Sequence, residues 1–239
     1  MPAARTSSRP AQRRRRHADE PLVAFRGVWR YWGRGSKRWA VLRDIHLDIP
    51  RGETICIEGR NGAGKTTLLR IATGILAANR GTVTIGGIAV GDRWRDYHRE
   101  IGFLSAGDRG LYARVTVRGH LDYWTALAFV PRTERRALVN DAIVHFGLED
   151  LADRRSERLS QGQRQRLRLA LAVVHRPRVV LLDEPRNSLD GEGLEMLRSA
   201  IHGVLAGGGS VIWCSPVGED QPVTFDRIMR LESGRLHPV

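Results

Sequence analysis

The chain has 239 residues, 41% hydrophobic and 27% charged, with 39 basic against 26 acidic side chains for a net charge of +13. Ordinary apolar content excludes a disordered regulator, and no run approaches the roughly 18 to 20 apolar residues of a membrane span. Two cysteines far apart in apolar runs, Cys56 and Cys214, exclude a disulfide framework or paired-cysteine metal site, so a reducing compartment is expected.

Residues 1–16 carry Arg5, Arg9 and Arg13 to Arg16 without an acid, so nearly half the excess charge lies in a basic tail expected to be disordered, residues 1–20. No apolar stretch follows it, which is not the pattern of a secretory signal, and a soluble intracellular protein is expected. A solvated extension is the favoured reading of the tail, with an anionic membrane surface or RNA as alternatives. Beyond it Leu22 to Val28 reads as a strand, and Ala40 to Ile49 alternates toward another. The turn Pro50-Arg51-Gly52 leads into the short apolar strand Thr54 to Glu58, a glycine-rich loop from Gly59 to Gly64, and helical spacing from Lys65 to Leu76. Gly81 to Val90 looks like a small hairpin, and Ile101 to Leu104 like another strand. Helical patterns follow at 117–129, 133–146 and 161–175. Strands return at Val179 to Leu182, Ser210 to Cys214 and Arg227 to Leu231, with a helix from Gly191 to Ala206. Strands, a helical block and strands again predict an α/β core carrying a helical subdomain at about 106–170.

Gly59-Arg60-Asn61-Gly62-Ala63-Gly64-Lys65-Thr66 satisfies the spacing G-x-x-x-x-G-K-[ST] between a strand and a helix. Glycines let successive backbone N–H groups curl around a phosphate, and the helix N-terminus adds partial positive charge. Lys65 reaches the β- and γ-phosphates in such a loop, and the Thr66 hydroxyl ligates Mg²⁺. Chance predicts on the order of 0.002 such octets in a chain of this composition. The chain also supplies its own control: 37 of its 39 basic residues are arginine, Lys37 and Lys65 being the two exceptions. A compact point charge on a flexible stem suits a crowded phosphate.

Val179-Val180-Leu181-Leu182-Asp183-Glu184 is an apolar strand ending in two carboxylates. Asp183 suits Mg²⁺, directly or through water, and Glu184 suits polarising an attacking water as a general base. With Leu159-Ser160-Gln161-Gly162-Gln163 and Ser188-Leu189-Asp190, the chain resembles the ATP-binding subunits of ABC transporters from about Leu22 to Leu236, Gln161 standing where the L-S-G-G-Q signature has its first glycine.

The resemblance implies a RecA-like P-loop NTPase core with an antiparallel β subdomain and an inserted α-helical subdomain, over residues 21–239. It implies ATP and Mg²⁺ as ligands: Gly59, Asn61, Gly62, Ala63, Gly64, Lys65, Thr66 and Thr67 around the phosphates, and Thr66 and Asp183 on the metal. Lys65 and Glu184 are the implied catalytic pair. Tyr31 and Trp32 fall where the family sets an aromatic ring against adenine, with the count favouring Trp32. Ser160, Gly162 and Gln163 open a helix whose N-terminus would bind the γ-phosphate of ATP held by a second ATPase subunit, which predicts dimerisation on ATP, with a homodimer expected. The arginines of Arg164-Gln165-Arg166-Leu167 read as a charged helix face.

Two family residues are missing. Ser105-Ala106-Gly107-Asp108-Arg109 lacks the glutamine that follows the strand ending at Leu104, although Asp108 suits holding metal through water. Cys214-Ser215-Pro216 has proline where the family has a switch histidine, and His202 and His237 are poor substitutes. Proline offers neither a side-chain hydrogen bond nor a backbone donor, so normal ATP binding with slow hydrolysis is expected. The stretch Ser105 to Leu121 resembles exporter-type members, implying a separate permease exporting a lipid, glycan conjugate or drug-like molecule. Tyr112, Tyr123 and Trp124 are candidates for the groove that receives it. A peripheral place on the cytoplasmic face of the cell membrane follows, and no specific nucleic acid is expected. The alternatives are a degenerate regulatory subunit beside another ATPase and a non-transport ABC ATPase.

Overall fold

The computed structural model describes residues 20–107, 110–186 and 189–239. Two sheets organise it. β1 (Val23–Trp32) and β2 (Trp39–Ile49) pair antiparallel, and with β4 (Arg80–Ile85) and β5 (Ile88–Ala89) they form a four-stranded antiparallel sheet in the order β2-β1-β4-β5. The second sheet adds β3 (Thr54–Glu58), β6 (Ile101–Leu104), β7 (Val179–Asp183), β8 (Ser210–Ser215), β9 (Arg227–Glu232) and β10 (Arg235–Pro238), in the order β10-β9-β3-β8-β7-β6. Its pairs are parallel except β9 with β10, which turn back at Ser233-Gly234 as an antiparallel edge.

A parallel sheet needs cover on both faces, and strand alternation here feeds two separate cores. Ile55, Ile57, Val179, Leu181, Ile212 and Cys214 pack into a cluster with α1 (Lys65–Ala72) and the antiparallel sheet. Their neighbours Cys56, Val180, Leu182, Val211 and Trp213 face the other way. That second cluster holds α3 (Val117–Leu127), α4 (Arg132–His145), α5 (Gln161–Val173) and α6 (Gly191–Ala206). Both cysteines are free and buried, and burial foremost pushes the Cys56 thiol up to about 11 and raises Cys214 well above the ordinary thiol value, as expected of inert thiols.

Several boundaries differ from the sequence reading. α1 ends at Ala72 rather than Leu76, because Thr73 and the left-handed Gly74 (φ 75°) turn the chain out of helical geometry. A short helix, α2 (Trp94–Arg99), and the edge strand β10 escape the periodicity argument. β1 runs on through Tyr31 and Trp32, so these aromatics are strand residues rather than loop residues. On α5 the two arginines read as a charged face, Arg164 and Arg166, are half-buried, whereas Gln165 between them and Arg168 beyond are buried among its apolar residues. The basic tail lies outside the described residues except for Glu20, as do Asp108, Arg109 and Ser188.

Candidate nucleotide site

The sheet order sets the site. β7, β8 and β3 are parallel neighbours, so their carboxyl ends emerge on one edge. That edge carries Asp183-Glu184, Ser215-Pro216 and the loop from Gly59, in that order. The Gly59 N–H donates to the Ser215 carbonyl at 3.2 Å, and the Glu184 N–H donates to the Cys214 carbonyl at 2.9 Å.

The loop from Gly59 to Gly64 joins β3 to α1, the strand-to-helix position its spacing predicts. Gly64 has φ 109° and ψ 7°, and an added Cβ would lie 3.1 Å from both the Val41 carbonyl and a Leu42 methyl. A β-carbon is strained on that backbone and crowded in that gap. Leu68 is the first residue whose N–H closes on the helix, at the Gly64 carbonyl. The N–H groups of Lys65, Thr66 and Thr67 therefore lie in the first turn, where helices lack internal acceptors and favour anions. Lys65 is buried, its Nζ donating to the Gly59 carbonyl at 2.6 Å and the Arg60 carbonyl at 3.4 Å. Asn61 and Gly62 are exposed, and Ala63 is half-buried behind them.

Thr66 Oγ1 donates to Asp183 Oδ2 at 2.8 Å across 117 residues of sequence. Asp183 is buried, and its Oδ1 has no hydrogen-bond partner of ordinary geometry. Burial foremost raises its carboxyl above the usual 3.8, aided by the charge of Glu184 and opposed by the Thr66 hydroxyl, the Ala106 N–H and the Lys65 ammonium. A buried carboxylate oxygen that no hydrogen bond of ordinary geometry occupies, beside a hydroxyl, fits one side of a Mg²⁺ shell completed by phosphate and water. Glu184 next to it is half-buried and left-handed at φ 52°. That conformation costs a non-glycine residue on the order of 1 kcal/mol and clusters at functional sites.

A groove of about 790 Å³ opens over the loop, lined by Gly59 to Ala63, by Trp39 to Val41 and Arg43 of β2, and by Arg230 to Glu232 of β9 with the Ser233-Gly234 turn. Trp39 pairs directly with Trp32 across the β1–β2 ladder, so the two rings share a face. Trp39 is 59% exposed and Trp32 38%, and the Arg30 guanidinium lies 4.5 Å over the Trp32 ring. Tyr31 departs from expectation. Its ring stacks on Trp29 at 5.9 Å, and the Arg38 guanidinium lies 4.0 Å over it. As Trp32's immediate strand neighbour it projects to the opposite face. Trp39 is the residue that sequence reasoning missed; its one signal was an aromatic opposite Trp32 in a hairpin whose extent was underestimated.

Ser160, Gly162 and Gln163 are not part of this groove. Ser160 caps α5, its Oγ accepting from the Gln163 N–H at 3.2 Å while Gln163 Oε1 accepts from the Ser160 N–H at 3.0 Å. This capping box fixes the first turn, and it engages the Gln163 side chain. The site within one chain therefore unites the loop, Thr66, Asp183 and Glu184 and leaves the signature elsewhere. Arg166, on the same helix, bridges Asp190 at 3.0 Å and Glu192 at 2.8 Å at the start of α6.

Among the described residues no helix is long and apolar enough to cross a membrane. Of the predicted docking aromatics, Tyr112 and Tyr123 are exposed and Trp124 is half-buried. Trp124 lines a groove of about 500 Å³ between β6, α3 and α5, with Ser105, Leu127 and Arg168.

Residues 42–187 match the ABC transporter family. The chain is 32% identical over 195 residues to the ABC transporter ATP-binding protein NatA of Bacillus subtilis, covering 82% of this chain and 79% of that protein. It is 36% identical over 220 residues to the cobalt import ATP-binding protein CbiO of Rhodobacter capsulatus, covering 90% and 77%. Among solved structures, a dimeric ATP-binding cassette in a post-hydrolysis state with ADP and Pi superposes with a TM-score of 0.80 at 25% identity, covering 90% of this chain and 96% of that one.

Proposed function

The chain belongs to the ABC transporter family, as an ATP-binding subunit with a P-loop α/β fold, and from that premise we propose that it binds and slowly hydrolyses ATP to drive a separate membrane permease. The observation that carries the reading is the bond between Thr66 and Asp183. It closes phosphate loop and acidic strand into one site with a buried carboxylate oxygen left to bind.

In this reading residues 21–239 form the ATPase unit and 106–170 its helical subdomain. The N–H groups from Asn61 to Thr67 and the Lys65 ammonium hold the phosphates, and Trp32 or Trp39 stacks on the base. Thr66 and Asp183 would hold Mg²⁺, which when bound supplies charge neutralisation of the phosphates. Glu184 accepts a proton from the water that attacks the γ-phosphorus; the bond to the β-phosphate bridging oxygen breaks, leaving ADP and inorganic phosphate. The first turn of α5 at Ser160 and Gly162 serves ATP held by a second copy, so two chains sandwich two nucleotides. The permease, and through it the membrane's cytoplasmic face, is the implied partner.

Export was the expectation from the stretch 105–121. The cobalt protein among the relatives is named for import, so export finds no support there and the proposed role is transport without a stated direction. A second reading, a regulatory subunit that binds ATP beside a more active ATPase, is favoured by one feature: Pro216 at the edge between loop and acidic pair. Steady-state hydrolysis with Mg²⁺ separates the two. Turnover lost in Lys65→Ala and Glu184→Gln, with ATP binding kept in the latter, supports a working motor. Tight binding without turnover in the parent chain supports the regulatory reading, and absence of ATP binding by the parent chain refutes both.

A further inference from the structure

Outside the nucleotide groove, the helical half contains a buried guanidinium whose bonds run toward the acidic pair. Arg168, in the middle of α5, is 6% exposed. Its Nη1 donates to Gln165 Oε1 at 2.7 Å, and its Nη2 donates to the Ser105 carbonyl and, at 3.4 Å, to Ser105 Oγ. Gln165, almost one turn earlier and also buried, donates from Nε2 to the Pro185 carbonyl at 3.2 Å. Ser105 is the first residue after β6, and Pro185 is the first after Asp183-Glu184 on the neighbouring strand β7. One fork and one amide thus lace α5 to the ends of two adjacent strands.

The geometry restricts what this link can do. Two acceptors, the Ser105 and Pro185 carbonyls, are main-chain atoms and move only with their strand ends. A buried guanidinium tolerates little loss of its partners, because an unpaired charge in the interior is costly. A displacement of the 183–185 turn is therefore transmitted to α5 through Gln165 and Arg168 rather than absorbed by side-chain rotation. The first turn of the same helix carries Ser160 and Gly162. On the opposite side Arg166 pairs with Asp190 and Glu192, which ties α5 to the start of α6.

We infer that Arg168, acting through Gln165, is a positioning residue that sets the Ser160 end of α5 against the Asp183-Glu184 turn and so couples the two half-sites of an ATP-bound pair of chains. This rests on the proposed function, since only an ATP-sandwiched dimer gives the signature turn a nucleotide to meet. Lysine cannot substitute, because a single ammonium does not span Gln165 and Ser105 as a fork does. Spatial intermediacy alone does not establish coupling, so the test is a mutant cycle.

The full chain with Glu184→Gln, which removes the proposed base, provides the background. Dimerisation is followed by sedimentation as a function of Mg-ATP, and single-chain binding by a fluorescent ATP analogue, for Arg168→Met, Gln165→Met, the double variant and Arg168→Lys. The expected result is unchanged analogue binding, with the ATP needed for half-dimerisation raised about tenfold by each single substitution and by Arg168→Lys. The double variant adds nothing further, as residues acting through one link are non-additive. Should Arg168→Met not fold, Gln165→Met, which leaves the arginine and its Ser105 bonds in place, carries the same comparison. Dimerisation equal to the background chain, or single losses that sum in the double variant, overturns the inference even if thermal stability falls. A background chain that binds ATP without dimerising overturns the sandwich reading, and this inference with it.

Discussion

Pro216→His tests the chemical edge most directly. Pro216 follows β8, between the strand that feeds the phosphate loop and the strand that ends in Asp183. It is half-buried and Val217 beyond it is exposed, so an imidazole has room to reach the groove, which Val217 also lines. The substitution supplies a donor where proline has none. A hydrogen bond to a charged group contributes about 1.5 to 3 kcal/mol net, and about 1.4 kcal/mol corresponds to a factor of ten in rate. If the bond forms mainly in the transition state, kcat should rise roughly 10- to 150-fold with little change in KM. Stability should fall by about 0.4 to 1 kcal/mol, because the unfolded chain regains the freedom proline denied it. Steady-state hydrolysis with Mg-ATP reads the first effect and urea unfolding the second. The gain should vanish in Pro216→His/Glu184→Gln, since the added donor needs the base. A folded Pro216→His protein with kcat within twofold of the parent would refute the claim that this position limits turnover.

Lys65→Arg should abolish high-affinity ATP binding while conserving charge, because the guanidinium cannot occupy the pocket where Nζ contacts the Gly59 and Arg60 carbonyls; isothermal titration checks it. Trp39→Ala or Trp32→Ala should weaken ATP by about 5- to 100-fold if that ring stacks on the base, on a stacking scale of about 1 to 3 kcal/mol. Tyr31→Ala, whose ring is already engaged by Trp29 and Arg38, should leave affinity within about twofold on the same stacking argument. Burial foremost lowers the pKa of His120 and of His175 from the ordinary 6.5. The unfolded chain then binds more protons between each folded pKa and 6.5, so stability should fall as pH drops below 6.5. The double variant His120→Asn/His175→Asn should flatten that dependence in thermal unfolding at pH 5 to 7.5.

The phosphate loop and the acidic strand were legible because their chemistry demands residues at fixed local spacing. Gly64, Lys65 and Thr66 depend on one turn of backbone, and that turn is encoded in eight consecutive positions. The strand alternation at Thr54 to Glu58 and Val179 to Leu182 did not reveal which face met which core, because buried parallel strands are apolar on both. Position Arg168 shows a different limit. An arginine four residues after Arg164 on a helix reads as solvent-facing, and only the packing of α5 against β6 and β7 turns it inward. Trp39 was hidden by a hairpin boundary: once β1 and β2 extend to Trp32 and Trp39, strand register alone places both rings on one face. The short helix α2 lacks enough turns for periodicity to register.

The two cation types mark two physical tasks in this chain. At the phosphate loop the charge sits at the floor of a backbone curl, against the Gly59 and Arg60 carbonyls. A four-carbon stem with a compact head does that, and Lys65 is one of only two lysines in 239 residues. Beneath the signature helix the task is to join acceptors on two different elements, Gln165 and Ser105, at once. A point charge meets one of them well; a planar fork with donors on separate nitrogens meets both. In an arginine-rich chain composition does not account for the lysine, and the bonds made by Arg168 cannot be reproduced by a lysine in its place. Each residue type is therefore explained by the spacing of the acceptors it meets.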